Sequence, residues 1–218
     1  MNAVYVYALL DPARRPARIG THAIEFVGIG SICAAVERVS ERPAISEMAL
    51  RDQHDVVARL ARNADAILPA RFGSLIELHE LERMIARHEH TIEEALELVR
   101  GREQMTLRLF AASSQAPSDA TAVTSPSSGT AYLAMRAAAG AVPPEVERVR
   151  AKLGSLVVAE RVERGEGRLH ATVWHLITRG SSARYQTGVA RLADDLAPLR
   201  PAVSGPWPPF AFAPAIWQ

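Results

Sequence analysis

The side chains best suited to chemistry in this sequence are its seven histidines, and several of them keep company with carboxylates. His79, His88 and His90 lie among Glu77, Glu80 and Glu89, and imidazole with carboxylate is a zinc donor set. Their separations are not those of a metalloprotease helix, and no second ligand cluster stands at a recognisable distance. His170 and His175 sit five positions apart in one predicted strand, so alternation sends them to opposite faces. No nucleophile elbow, phosphate-binding loop or dinucleotide fingerprint is present. "GEGR" at 165–168 reads as a hairpin turn, and "VGIGS" at 27–31 lacks a third glycine and a following helix. Asp194 and Asp195 read as surface charge at a helix end. The expectation is a protein that is not an enzyme and holds no metal and no cofactor.

Composition narrows the partners. Basic and acidic residues nearly cancel, at a formal net charge of +1, so no global field draws the chain to nucleic acid or an acidic membrane. Cys33 is the single cysteine; it excludes an internal disulfide and, inside "SICAAV", reads as a small buried hydrophobe. The opening "MNAVYVYALLDPARR" has no basic leader, and no apolar run approaches the ~20 residues of a membrane span. These features point to a cytoplasmic protein.

The elements that must position any site follow from periodicity. "AVYVYALL" (3–10) is β-branched and aromatic, a buried first strand, and two more strands fall within 23–39 around Gly28 and Gly30. Residues 46–63 read as a helix, and "AILPARFGSLI" (66–76) as a strand interrupted at Pro69. Two helices follow. Leu78, Leu81, Ile85 and His88 share one face of the first, and Thr91 with Glu94 forms a capping box that opens the second, which runs to about Arg100. In 101–111, Met105, Leu107 and Leu109 alternate with Thr106 and Arg108 as in a half-buried strand.

Residues 112–128, "ASSQAPSDATAVTSPSS", lack large apolar side chains and read as a flexible linker or long loop. Beyond it, "GTAYLAMRAAA" is helical, and a helix after Pro143-Pro144 presents Val146, Val149 and Leu153. Strands at 155–163 and 167–178 precede a helix capped by Ser181 or Ser182 with the stripe Tyr185, Val189, Leu192 and Leu196, and "LRPAVSG" returns as a strand. The predicted fold class is α+β in two domains. Residues 1–100 form a mixed α+β unit, and residues 101–204 run βαββαβ, the ferredoxin-like order with an antiparallel sheet.

The tail, 205–218, is the densest aromatic stretch. "GPWPPFAFAP" carries Trp207, Phe210, Phe212 and four prolines, in a chain that is 6% aromatic overall. Its prolines deny most ladder hydrogen bonds and favour an extended path that packs back on the protein. Trp207, with Phe210 or Phe212, is expected to be buried between the two domains. An RNA-binding sheet is a competing reading, but its predicted strands offer only Trp174 for stacking. A small-ligand regulatory module is the other alternative.

Three segments together resemble the gas vesicle accessory proteins of the L/F type: "ILPARFGSLI" (67–76), "GTAYLAMR" (129–136) and "SGPWPPFAF" (204–212). The resemblance covers essentially the whole chain, with P-x-R-F-G and G-P-W-P-P-[FY] its most specific parts. One departure is Gln104, where the family carries an aromatic residue, a change expected at most to alter a surface. The resemblance implies a two-domain, non-enzymatic assembly factor or minor component of gas vesicles, the gas-filled protein shells used for buoyancy. It implies contact with the main shell protein and other accessory proteins, by a monomer or weak oligomer located in the cytoplasm at the gas vesicle. It marks Arg71, Phe72, Gly73, Tyr132, Trp207, Pro208, Pro209, Phe210 and Phe212 as partner-binding or domain-interface positions. For Phe72 and Gly73, a buried aromatic beside a turn glycine is also explained by folding alone.

Overall fold

A computed structural model of the chain describes residues 3–11, 22–39, 41, 43–111 and 143–216. The linker expected at 112–128 and the helix expected at 129–139 lie outside the described residues, as does Tyr132. The described residues fall into two compact units of a mixed α+β fold with two antiparallel sheets. The first unit draws on Met1–Gln104, Leu176–Arg179 and Pro206–Gln218, the second on Met105–His175 and Gly180–Gly205.

In the first unit, β1 (Ala3–Leu10) is the middle of the sheet and is buried on both faces, as its apolar run requires. One edge pairs with β3 (Ile32–Arg38), which pairs in turn with β2 (Glu25–Ile29). The other edge carries two short strands in succession, β4 (Ile67–Pro69) and β5 (Leu75–Glu77). The expected interruption at Pro69 is therefore real, and pairing resumes six residues later at Leu75. Between β2 and β3, Gly30 takes φ +57°, and a Cβ there would meet the carboxylate of Glu89. Ser31 Oγ donates to Glu93 at 2.5 Å, so this turn is pinned to the next helix but one.

Helix α1 (Glu47–Asn63) is capped by Ser46, whose side chain accepts from the Ala49 N–H at 3.1 Å. It lays Val56, Val57 and Leu60 on Tyr5, Tyr7, Leu10 and the buried Cys33. Burial of such side chains stabilises by about 1.5–3 kcal/mol each. Helix α2 (Leu78–Val99) buries Leu81, Ile85, Ile92, Leu96 and Val99. Two helices were expected here with a cap at Thr91. The backbone instead breaks at His88 (φ −113°, ψ 16°) and is already helical at Thr91, while Glu94 pairs with His90 at 3.2 Å.

The second sheet has the order β7-β8-β6-β9, with β6 at Arg102–Ala111, β7 at Val157–Arg164, β8 at Leu169–Thr178 and β9 at Leu199–Trp207. Strand β6 is interior, so Thr106, expected to face outward, is buried along with Met105, Leu107 and Leu109. Helix α3 (Pro144–Leu153) buries Val146, Val149 and Leu153 as its spacing predicts. Helix α4 (Ser182–Leu192) buries Tyr185, Val189 and Leu192. Ser181 stands at its N-cap without a side-chain hydrogen bond, so the expected cap is positional only. A Cβ on Gly188 would lie 2.6 Å from a Leu153 methyl, which is why α3 and α4 meet at a glycine. Strand β9 runs two residues longer than expected, through Pro206 and Trp207. It is an edge strand, where a proline's missing N–H can face outward without breaking a ladder bond.

Candidate partner-binding site

Adjacent residues of α1, Gln53 and His54, hold two of the three family-like segments. Gln53 lies on the helix's buried stripe with Val56, Val57 and Leu60, an amide where an apolar residue would be expected. Its Nε2 donates to the Ala70 carbonyl at 3.1 Å, and its Oε1 accepts from the Tyr5 hydroxyl. That hydroxyl in turn accepts the Gly73 N–H at 3.0 Å. The excursion between β4 and β5 is thereby fixed from inside the fold.

Within the excursion, Gly73 takes φ +81°, a left-handed conformation that costs a side-chain-bearing residue about 1–2 kcal/mol. Ser74 Oγ closes the turn on the Arg71 carbonyl at 2.8 Å, and Val6 N–H donates to the Ser74 carbonyl at 2.8 Å. Phe72 is half-buried with its ring 6.5 Å from that of Tyr5, edge to face. Arg71 points to solvent, and its guanidinium has no carboxylate partner among the described residues.

His54, one position on, faces the tail. Its ring meets Trp207 edge to face at 5.2 Å and stacks on Phe210 at 6.3 Å with an interplanar angle of 15°. After Trp207, the buried Pro208 and Pro209 lead into a single 3₁₀ turn, Phe210–Phe212, in which the Phe212 N–H donates to the Pro209 carbonyl at 3.0 Å. Phe212 is 3% exposed and Phe210 37%. Trp207 is half-buried, short of the full burial expected of it, because it also borders an open cleft of about 350 Å³. Gln104 is not a surface position either. It is 4% exposed, and its Oε1 accepts the Ala211 N–H at 2.8 Å, tying the tail down. Sequence reasoning missed Gln53, His54 and this role of Gln104; the one readable signal was an amide in the apolar stripe of α1.

The second unit contains a different polar constellation. His175, 1% exposed, stands between the Tyr185 hydroxyl (2.6 Å from Nδ1) and Glu160 (2.9 Å from Nε2). Arg150 reaches the other Glu160 oxygen at 2.6 and 2.9 Å. Burial, followed by the Glu160 charge, pushes the Tyr185 phenol well up. Burial also opposes the Glu160 charge, but hydrogen bonds from His175 and Arg150 outweigh it and hold the carboxyl below its usual range. An ionised carboxylate can only accept, so His175 Nε2–H donates to Glu160. Tyr185 is fully buried, whereas His175 and Glu160 border a cleft of about 340 Å³. The histidines 79, 88 and 90 are not gathered: among the described residues no three His, Cys, Asp or Glu are placed to hold a metal ion. Among the same residues no helix is long and apolar enough to cross a membrane.

The family model described as "Gas vesicle synthesis protein GvpL/GvpF" matches residues 3–214 of the chain. Among solved structures, the gas vesicle protein GvpF from Anabaena sp. PCC7120 is similar at TM-score 0.72 and 14% identity, covering 97% of this chain and 96% of that one. GvpF from Microcystis aeruginosa is similar at TM-score 0.71 and 13% identity, covering 98% of this chain and 100% of that one. No protein with a curated description matches. At such identities the structural likeness speaks for the fold, and the family match for membership.

Proposed function

Because the chain belongs to the gas vesicle synthesis protein GvpL/GvpF family, we propose that it is a non-enzymatic assembly factor or minor structural component that binds the main shell protein and other accessory proteins during gas vesicle formation. The observation that carries this reading is the match over residues 3–214, nearly the whole chain. Two of the family-like segments are both held by α1, at Gln53 and His54, which supports treating them as one working surface. In this reading Arg71, Phe72, Trp207 and Phe210 offer that surface, Gly73, Pro208, Pro209 and Phe212 shape it, and Tyr132 contributes from the third segment. The protein works in the cytoplasm at the gas vesicle, as a monomer or weak oligomer, without a cofactor.

The sheet order β7-β8-β6-β9 supports reading residues 101–204 as a ferredoxin-like domain, with 112–128 as a loop inserted in it, beside an N-terminal α+β domain. A deletion strain tests the function directly. It is expected to make shell protein yet assemble no mature vesicles; normal flotation without this protein removes the assignment.

A further inference from the structure

The cleft beside the tail has a composition that selects its occupant. Its floor is apolar: Ala58 and Ala61 of α1 face Trp207, Pro208 and Pro209. Three arginines, Arg62, Arg102 and Arg179, stand around it against one carboxylate, Glu103. Arg179 donates to the Ala64 carbonyl at 3.1 Å and Arg102 to the Leu98 carbonyl, so both are positioned by backbone oxygen, and neither forms an ion pair among the described residues. Arg62, in the last turn of α1, is exposed and has no ion-pair partner among the described residues. Charge is thus concentrated at this spot in a chain whose net charge is only +1.

We propose that this cleft receives a short segment of a partner protein in which apolar side chains are followed by carboxylates. Resting on the functional reading above, that partner is the main shell protein. The alanines leave room, and the half-buried indole with two prolines supplies a rigid apolar wall that loses little entropy on docking. The guanidiniums then meet carboxylates in forked geometry at a partly desolvated rim. Nucleic acid fits less well. Phosphates have no use for the apolar floor, and the Trp207 ring is already engaged by His54.

The test measures binding of purified shell protein to the intact chain and two variants, with circular dichroism and melting as fold controls. Arg62→Glu reverses one rim charge at an exposed position and is expected to weaken binding roughly tenfold at low salt, with the difference shrinking as salt rises. Ala58→Phe fills the floor and is expected to weaken binding at every salt concentration. A glutamate-to-lysine change in the shell protein that restores binding to Arg62→Glu identifies the contacting acid. If the unaltered chain binds and both variants bind equally well, the cleft is not the site and the inference is overturned while the functional reading stands. If the unaltered chain does not bind shell protein, the proposed partner is wrong. A labelled leucine-glutamate peptide is then compared with its leucine-lysine counterpart: preference for the acidic peptide keeps the cleft's chemistry, and equal or no binding removes it. Preferential binding of RNA, or self-association lost in Arg62→Glu, also overturns it.

Discussion

Each unit buries a tyrosine and hydrogen-bonds its hydroxyl, yet the two serve opposite ends. Tyr185 sits in a charged chain with His175, Glu160 and Arg150 that runs from the buried phenol to an exposed guanidinium of the second unit. Tyr5 sits in a neutral chain with Gln53 and Gly73 that ends on a surface turn carrying Arg71 and Phe72. Charged networks in a low-dielectric interior are costly to break, because a lone buried charge cannot be solvated. Neutral ones are cheaper to break, but here they transmit their loss to a turn that faces outward. Stability and partner binding should therefore separate between the two networks.

The largest expected effect is on the charged side. His175→Ala leaves Glu160 with Arg150 alone and Tyr185 without its imidazole partner, and losing a buried ring together with its two hydrogen bonds costs about 2–5 kcal/mol. Chemical denaturation should show this loss, and shell-protein binding below the melting transition should be unchanged. A loss below about 1 kcal/mol would mean that water replaces the imidazole. A fall in binding without a fall in stability would move the partner surface to the second unit.

On the neutral side, Tyr5→Phe removes one hydroxyl and orphans the Gly73 N–H and the Gln53 oxygen. The cost of such buried unsatisfied groups is roughly 1–3 kcal/mol. The larger consequence is expected in binding, since the turn loses its internal anchor. Equal binding by a folded Tyr5→Phe protein would mean that the turn is held by its own Ser74–Arg71 bonds.

What could be read in advance divides along the same line. Elements with a local period were legible: the apolar run of β1, the Val146–Val149–Leu153 stripe of α3, and the pause at Pro69. Features set by distant partners were not. Tyr5 and Gln53 are 48 positions apart, Gln104 and Ala211 are 107 apart, and neither pair leaves a trace in local pattern. The two motif segments carry a family resemblance in their own residues, but His54, which meets the tail, sits in α1 among ordinary helix residues. Trp207 misled because an aromatic among prolines suggests complete burial, and the edge position of β9 together with the open cleft leaves it only half covered.

A smaller effect comes from pH. Glu160 is held ionised below its usual range, so the native state binds its proton less readily than the unfolded chain does. Its contribution to stability is then fully present above the ordinary carboxylate pKa and is lost as pH falls through the depressed native value. The melting temperature should fall on acidification, and Glu160→Gln should flatten that fall while starting from a lower stability at neutral pH. An unchanged acid limb in Glu160→Gln would assign the slope to other carboxylates, with Glu145 the next to examine. Its carboxyl is also held low: burial acts against its charge, and its own backbone N–H and then His170 outweigh that. The neutral Tyr5 network should contribute nothing to this limb.

The smallest stability effect is expected at Arg71, and it is the most discriminating. The guanidinium is exposed and has no carboxylate partner among the described residues, so Arg71→Ala should change stability by no more than about 0.5 kcal/mol. The turn's backbone bonds use the Arg71 carbonyl, which the substitution keeps. Any loss of shell-protein binding in this variant must then come from contact and not from a disturbed fold. Arg71→Lys sharpens the reading, because lysine keeps the charge but not the planar fork. Recovery with lysine points to general attraction; failure of lysine points to a bidentate carboxylate on the partner. Full binding by Arg71→Ala would reduce the turn to a folding device and leave the tail cleft as the working surface of the first unit.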